Sequence, residues 1–378
     1  MIYLDNAATS WPKAPGVAEA MTAALDAGNP GRGAHDQALD AGRILLRVRT
    51  RAARLFGAAP ERVILTHSAT HGLNLAIAGL LNPGDHAITT DLEHNSVLRP
   101  LYAARARGVE LTIVRSERGV ISPDAVAAAL RPSTRLVAIS HASNVLGTVQ
   151  PIDAIAQLCV HKGIHLIVDA AQTAGLLPLD FTQTPLAALA TGGHKSLLGP
   201  AGTGLLVLGD GVRPRPFEVG GTGEDTFNES MPAALPEALE AGTPNVPGLA
   251  GLAASLDVVL SAGGTHLARA LTQARRLRDG LVASGRFWTP DVDADAWGVP
   301  VVSGLILDAA GQPLDVADVA DALAQRGIAV RGGFHCAPLV HRRYGTEESG
   351  MVRFSPGHLT TDADVDAALA AVREIAGL

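Results

Sequence analysis

The stretch HLIVDAAQTAGLLPLDFTQTPLAALATGGHKSLLGPAGTGLLVL, residues 165–208, decides how the chain folds. His165-Leu166-Ile167-Val168-Asp169 is a short apolar run that ends on a carboxylate, Leu186–Ala190 is a second such run and Gly204–Leu208 a third. Runs this brief and this apolar, punctuated by glycine, proline and threonine, predict strands buried on both faces. Working outward, the same kind of run recurs at Arg62–Thr66, His86–Thr90, Val109–Val114 and Leu136–Ser140. Helical stretches stand between them. Thr70–Leu81 stops at Asn82-Pro83-Gly84, Ser96–Arg107 stops at Gly108, and Ile152–Lys162 stops at Gly163. Strands alternating with helices predict an α/β protein whose mostly parallel seven-stranded sheet is covered by helices.

Two helices, around Val17–Ala27 and Asp36–Phe56, precede this core and close on Gly28 and Gly57. Between Gly209 and Pro247 periodicity is lost and proline and glycine accumulate. A long irregular excursion of this kind is usually functional or interfacial. Beyond it the pattern predicts helices Leu249–Ser261 and Thr265–Ala283, a strand Val301–Leu307 and a helix Leu314–Arg326. Short strands near Ala329–Arg331 and Val352–Phe354 follow, then a last helix opened by the capping pair Thr361 and Asp364. The tail reads as a smaller α+β domain joined by the extreme N-terminus. The expected division is a large domain over 15–255 and a small one over 1–14 and 256–378.

Composition narrows the function. Lys plus Arg number 30 against 37 Asp plus Glu, a formal charge of −7, which lacks the basic excess of a nucleic-acid or anionic-membrane binder. Two cysteines in 378 residues exclude a disulfide scaffold and fit a reducing compartment. Met1 leads into Ile2-Tyr3-Leu4-Asp5 with no basic segment before an apolar one, so no signal peptide is expected. The least polar long stretch, Val246–Gly264, holds Pro247, Ser255, Asp257 and four glycines, and reads as a buried helix rather than a membrane span. A cytoplasmic protein is the expectation.

In open α/β sheets, ligands bind beyond the carboxyl ends of the strands. Those ends deliver Ser68-Ala69-Thr70, Glu93-His94-Asn95, Ser143-Asn144, Asp169 with Gln172, and Gly192-Gly193-His194-Lys195 to one edge. Lys195 sits among apolar residues and glycines with no acid close in sequence, a setting that lowers an amine's pKa and frees it for Schiff-base chemistry. A snorkelling surface lysine is the bland alternative. A P-loop is excluded, because His194 separates the glycine from the lysine and no glycine stands at the earlier place. Asp169 is either an acid that keeps a pyridine nitrogen protonated or a helix-capping aspartate. Ser68, Ala69 and Thr70 open a helix after a strand, which makes a phosphate cradle or an ordinary cap. His67 and His71 are four apart but lack a third ligand in register, so no metal is expected. His94 offers a ring to stack on a flat cofactor, or is a polar turn histidine. Cys336 lies in the glycine-rich loop Arg331-Gly332-Gly333-Phe334-His335-Cys336, where a nearby histidine and arginine favour a nucleophilic thiolate. Cys159, inside a helix, reads as an inert core residue. Arg353 has the fork to grip a carboxylate, or is a surface strand arginine.

Together these residues resemble the cysteine desulfurases of the class V, fold type I, pyridoxal-phosphate (PLP) aminotransferase superfamily. The resemblance rests on Tyr3-Leu-Asp-Asn-Ala-Ala-Thr, Gly28-Asn-Pro-Gly-Arg-Gly-Ala-His, Glu93-His94-Asn95, His141-Ala-Ser-Asn-Val-Leu-Gly-Thr, Val168-Asp-Ala-Ala-Gln-Thr-Ala-Gly, Gly193-His-Lys, Glu240-Ala-Gly-Thr-Pro-Asn and the Cys336 loop. It implies that Lys195 holds PLP and moves protons at Cα, that Asp169 pairs with the pyridine nitrogen and Gln172 with the phenolic oxygen, and that His94 stacks on the ring. Ala69, Thr70 and His194 would hold the phosphate, with Thr243 from the partner of a homodimer. Asn144 and Arg353 would bind the carboxylate of L-cysteine, with Arg331 nearby. Cys336 would take the sulfur as a persulfide and pass it to an acceptor protein. Many relatives have a phosphate-binding serine three residues before the lysine, where this chain has Gly192. Selenocysteine lyases, C–S lyases and small-molecule aminotransferases share the cofactor and stand as alternatives.

Overall fold

Alternation of apolar residues along each central strand places successive side chains on opposite faces, and both faces need cover. The computed structural model describes residues 1–31 and 33–378; Arg32, in the quoted Gly28–His35 motif, lies outside the described residues. The chain begins with β1 (Ile2–Tyr3), α1 (Val17–Ala23) and α2 (Asp36–Phe56). The repeating part follows as β2 (Val63–Thr66), α3 (Ala69–Leu80), β3 (His86–Thr90), α4 (Asn95–Ala106), β4 (Glu110–Val114), α5 (Pro123–Ala128) and β5 (Thr134–Ser140). It continues with α6 (Ile152–Lys162), β6 (His165–Asp169), β7 (Ala188–Gly192) and β8 (Gly204–Leu208). After the excursion come α7 (Val246–Ala262), α8 (Thr265–Ala283), β9 (Phe287–Trp288), β10 (Val302–Ile306) and α9 (Val316–Gln325). The chain ends with β11 (Ile328–Ala329), β12 (Arg331–Gly333), α10 (Pro338–Tyr344), β13 (Met351–Phe354) and α11 (Asp362–Ile375).

The seven strands form one sheet in the order β2-β8-β7-β6-β5-β3-β4. All neighbouring pairs are parallel except those of β8, which runs antiparallel to both β7 and β2. The carboxyl ends of β2, β7, β6, β5 and β3 therefore share one edge. Ile64, Leu136, Ile167 and Leu206 pack on one face with Leu73, Ile77 and Val97 of α3 and α4. Val63, Val137, Val168 and Val207 pack on the other with residues of α2, α6 and α7, such as Val48, Ile155 and Leu252. Aliphatic side chains of similar length tile both faces, which is why so few aromatics suffice.

A second sheet, β12-β13-β10-β9, is antiparallel, and β1 pairs in parallel with β11. Three readings of the sequence shift. The strand expected over Leu186–Ala190 starts two residues later, because pairing begins where Ala188 meets Ile167 and runs to Gly192 opposite Gly204. The strand expected near Ala329–Arg331 is two strands, with Val330 as the crossing point between β1's partner and β13's partner. Helices α5 and α10 went unread, since six and seven residues are too few to show a period. Thr361 and Asp364 form the expected reciprocal capping box at the start of α11.

No single described helix is long and apolar enough to cross a membrane; α7 and α8 meet that test only taken together, as a pair bent by 78°. Ten of α7's 17 residues are buried, because its small side chains let α1 and α2 close against it.

Candidate active site

The sheet edge carries a cavity lined by Ala69, Thr70, His94, Asn144, Asp169, Gln172, His194, Lys195, Arg331 and Arg353 among others. Every site residue expected from the sequence lines it except Cys336 and Thr243.

Lys195 follows β7 on a turn whose backbone is closed by Gly193 N–H donating to the Thr203 carbonyl. Burial pulls its amine down to about 8, partly opposed by Asp169. Asp169 ends β6 and is buried; one oxygen accepts the Ala171 amide at 2.9 Å. Burial raises its pKa, countered by that amide and by the Lys195 charge. Among the described residues no side-chain cation forms an ion pair with Asp169.

His94 caps α4, accepting the Ser96 amide at 3.0 Å through Nδ1. That bond places the imidazole proton on Nε2. Burial, with Lys195 and Arg331 nearby, pulls its pKa down to about 4. The Ser96 hydroxyl lies 2.8 Å from His94 Nδ1 and 2.8 Å from Thr70 Oγ1, so one hydroxyl links the ring to the α3 terminus. The first amides of α3, on Ala69 and Thr70, precede any intrahelical acceptor. Ser68 is occupied in capping His71 at 3.1 Å. His194 keeps Nδ1 on Thr9 at 3.1 Å, and burial pulls its pKa down to about 4. A Cβ built on Gly192 would lie 3.2 Å from His194 Cδ2, 3.5 Å from its Nε2 and 3.9 Å from Ala69 N, so the glycine lets the His194 ring sit close beside the α3 terminus.

On the opposite wall, Asn144 ties two elements. Its side-chain amide donates to the His335 backbone carbonyl at 2.8 Å, and its backbone carbonyl accepts from Arg353 Nη1 at 3.1 Å. Arg353, buried on β13, also donates to Asp5 Oδ1 at 3.0 Å. Gln172 donates to the Ala7 carbonyl at 3.1 Å. Cys336 is exposed beside the cavity, on a loop whose His335 and Cys336 both have left-handed backbones, φ 51° and 56°. The Cys336 carbonyl accepts the Asn95 amide at 2.7 Å, which pins the loop against the start of α4. Cys159 is buried in α6, and burial pushes its thiol up to about 12.

Thr243 lines a separate surface cavity with Arg49, Glu218 and Glu240. His67 and His71 stack on one another at 4.2 Å.

The sequence reading gave no role to Asp5, Lys13, Glu93 or Ser96. Lys13 donates to the His194 carbonyl at 2.9 Å, and burial pulls it down to about 8. Glu93 is fully buried and accepts from Thr90 and from both Ser140 groups; burial raises it to about 8, against the pull of those hydrogen bonds. Glu93 and Asp5 stand inside quoted motifs, which was a signal of position though not of role.

The cavity's donor set fits PLP. A desolvated amine suits its aldehyde, a buried carboxylate without a side-chain cation suits its pyridinium nitrogen, and free α3 amides with Thr70 and His194 suit its phosphate. The chain belongs to the class-V aminotransferase family, whose model matches residues 2–368. Within that class it is similar to cysteine desulfurases. It is 32% identical to a probable cysteine desulfurase of Methanothermobacter thermautotrophicus, over 100% of this chain and 95% of the relative. It is 30% identical to the cysteine desulfurase IscS of Serratia proteamaculans, over 100% and 93%. Among solved structures, the apo cysteine desulfurase of Thermococcus onnurineus NA1 matches with TM-score 0.91 and 28% identity, covering 100% of this chain and 95% of that one. The cysteine desulfurase CsdA of Escherichia coli matches with TM-score 0.85 and 27% identity, covering 99% and 94%. Fold type I and dependence on PLP follow from the family.

Proposed function

We propose that this protein is a PLP-dependent cysteine desulfurase that converts L-cysteine to L-alanine and captures the sulfur as a persulfide on Cys336. The observation that carries the reading is one cavity joining Lys195 and Asp169 to the wall of Asn144 and Arg353, with the Cys336 loop fastened to that wall by Asn144. Its relatives bear the same activity in their names.

When bound, PLP supplies an aldehyde for the substrate amine and a ring that accepts an electron pair. Lys195 would hold the cofactor covalently and carry the proton at substrate Cα, a task suited to an amine that burial pulls down to about 8. Asp169 would keep the ring nitrogen protonated, Gln172 would pair with the phenolic oxygen and His94 would stack on the ring. Ala69, Thr70 and His194 hold the phosphate, and Thr243 of the partner subunit adds to them. Arg353 and Asn144 take the substrate carboxylate, with Arg331 beside them, and this orients the side chain toward Cys336. The Cys336 thiolate attacks the substrate sulfur, forming an S–S bond as the Cβ–S bond breaks, and the electron pair of the broken bond stays with Cβ, which takes up a proton to become the methyl group of alanine. The persulfide then passes to an acceptor protein.

The chain divides into a large unit over 15–255 and a small one over 1–14 and 256–378, with α7 as the helix that bridges them. It works as a cytoplasmic homodimer. The exposed Phe217, Val219 and Phe227 on the excursion support the dimer, since apolar side chains there ask for cover. The test is L-cysteine turnover with alanine and sulfide measured in parallel, for the wild type and Cys336→Ala. Loss of sulfur release in the variant is expected. Undiminished release from cysteine would move the protein to the C–S lyases, and a strong preference for selenocysteine to the lyases of that substrate.

A further inference from the structure

The N-terminal segment is laced to the strand that carries Arg353. Asn6 N donates to the Ser355 carbonyl at 3.1 Å, Ser355 N to the Leu4 carbonyl at 2.6 Å, and Ala7 N to Ser355 Oγ at 3.0 Å. This lacing sets Asp5 against the Arg353 guanidinium, in an ion pair of 3.0 Å whose side chains are 20% and 1% exposed. Among the described residues Asp5 is the one carboxylate paired with Arg353. Arg353 lines the cavity and Asp5 does not, so the carboxylate holds the guanidinium from behind. Arg353 Nε, also buried, has no partner.

We propose that Asp5 is a positioning residue that neutralises buried Arg353 before substrate arrives and tempers its grip on the substrate carboxylate. The inference rests on the reading of Arg353 as the carboxylate grip. A buried guanidinium without a counter-ion is strongly unfavourable, so the ligand-free site needs Asp5. Once a substrate carboxylate docks, two anions share one cation, and their repulsion weakens the hold. The product alanine keeps the carboxylate of cysteine, so an untempered arginine would retain product as firmly as substrate.

Asp5→Asn keeps the accepting oxygen and removes the charge alone. Two probes are titrated into the holoenzyme by calorimetry: 3-mercaptopropionate, which has the carboxylate and no amine, and cysteamine, which has the amine and no carboxylate. The variant is expected to bind 3-mercaptopropionate about tenfold tighter, with cysteamine unchanged. Its ligand-free melting temperature should fall, and saturating 3-mercaptopropionate should raise it by more than in the wild type. Equal or weaker binding of 3-mercaptopropionate overturns the proposal, as does an equal gain for cysteamine. Arg353→Gln separates the two readings. If it leaves 3-mercaptopropionate binding intact, the carboxylate grip itself is misassigned; if it abolishes that binding while Asp5→Asn changes nothing, Asp5 alone is. Should Asp5→Asn not fold, folding in the presence of 3-mercaptopropionate is the expected result, and failure of that rescue counts against the proposal.

Discussion

Lys195 and Gly192 are single positions at which the proposed hold on the cofactor can be tested. Only a neutral amine attacks an aldehyde, and burial brings Lys195 to about 8 from the ordinary lysine value of 10.5. The neutral fraction therefore rises through pH 8, and the rate of PLP uptake by the cofactor-free protein should climb between pH 7 and 9 with its midpoint near 8. Stopped-flow absorbance measures it; a midpoint near 10 would mean the amine is solvated. At Gly192 a side chain would stand between His194 and the α3 terminus. Gly192→Ser would place its Cβ 3.2 Å from His194 Cδ2, close enough that the ring must give by a few tenths of an ångström. One added hydrogen bond to phosphate contributes ~1 kcal/mol net, so the PLP dissociation constant should fall about fivefold. An unchanged or larger constant in equilibrium dialysis would show that the histidine cannot yield.

At the scale of the element, the Cys336 loop depends on the β12–β13 pair. Gly350 stands just before β13 with φ +70°, and a Cβ there would come within 2.7 Å of the Gly333 backbone at the end of β12. Gly350→Ala must either strain the turn or push β12 outward, and β12 leads directly into Phe334-His335-Cys336. The expected cost is ~2 kcal/mol, read as a lower urea midpoint. A loosened loop should also expose Cys336 to faster alkylation by iodoacetamide. Unchanged stability together with an unchanged alkylation rate would mean that the turn and the loop are independent. The same loop is fastened from the large sheet's side by Asn144 and Asn95, and its two left-handed residues, His335 and Cys336, are held in place by those bonds. It is a short, docked arm.

For the whole molecule, the prediction concerns the partner subunit. Thr243 lies apart from its own chain's cavity. In a homodimer that shares this residue, co-expressed Lys195→Ala and Thr243→Ala subunits would form mixed dimers with one site complete, its lysine from one chain and its threonine from the other. Those dimers should bind PLP at that site with wild-type affinity. If Thr243 served its own chain, no mixed dimer would contain a complete site, and affinity would stay at the level of the Thr243→Ala parent. Sedimentation of the wild type tests the dimer itself.

The central strands were legible because a strand buried on both faces has to be a short apolar run, whatever surrounds it. Val168 and Asp169 show how far that goes: the apolar run ends where the sheet ends, and the first polar residue past it stands at the edge where ligands bind. Lys195, Asp169 and Cys336 were legible as chemistry because each breaks an apolar or glycine-rich context. What ties them together is not local in sequence. Asp5 reaches Arg353 across 348 positions, and Asn144 reaches the His335 carbonyl across 191. No periodicity encodes such contacts, because they depend on where β13 and the N-terminal segment come to lie once both are packed. The two-residue offset of β7 has the same origin, since its register belongs to β6 and β8. By itself the sequence determined which residues have side chains suited to the proposed chemistry. Tertiary packing alone decided their partners, because a hydrogen bond or an ion pair is a matter of distance in space.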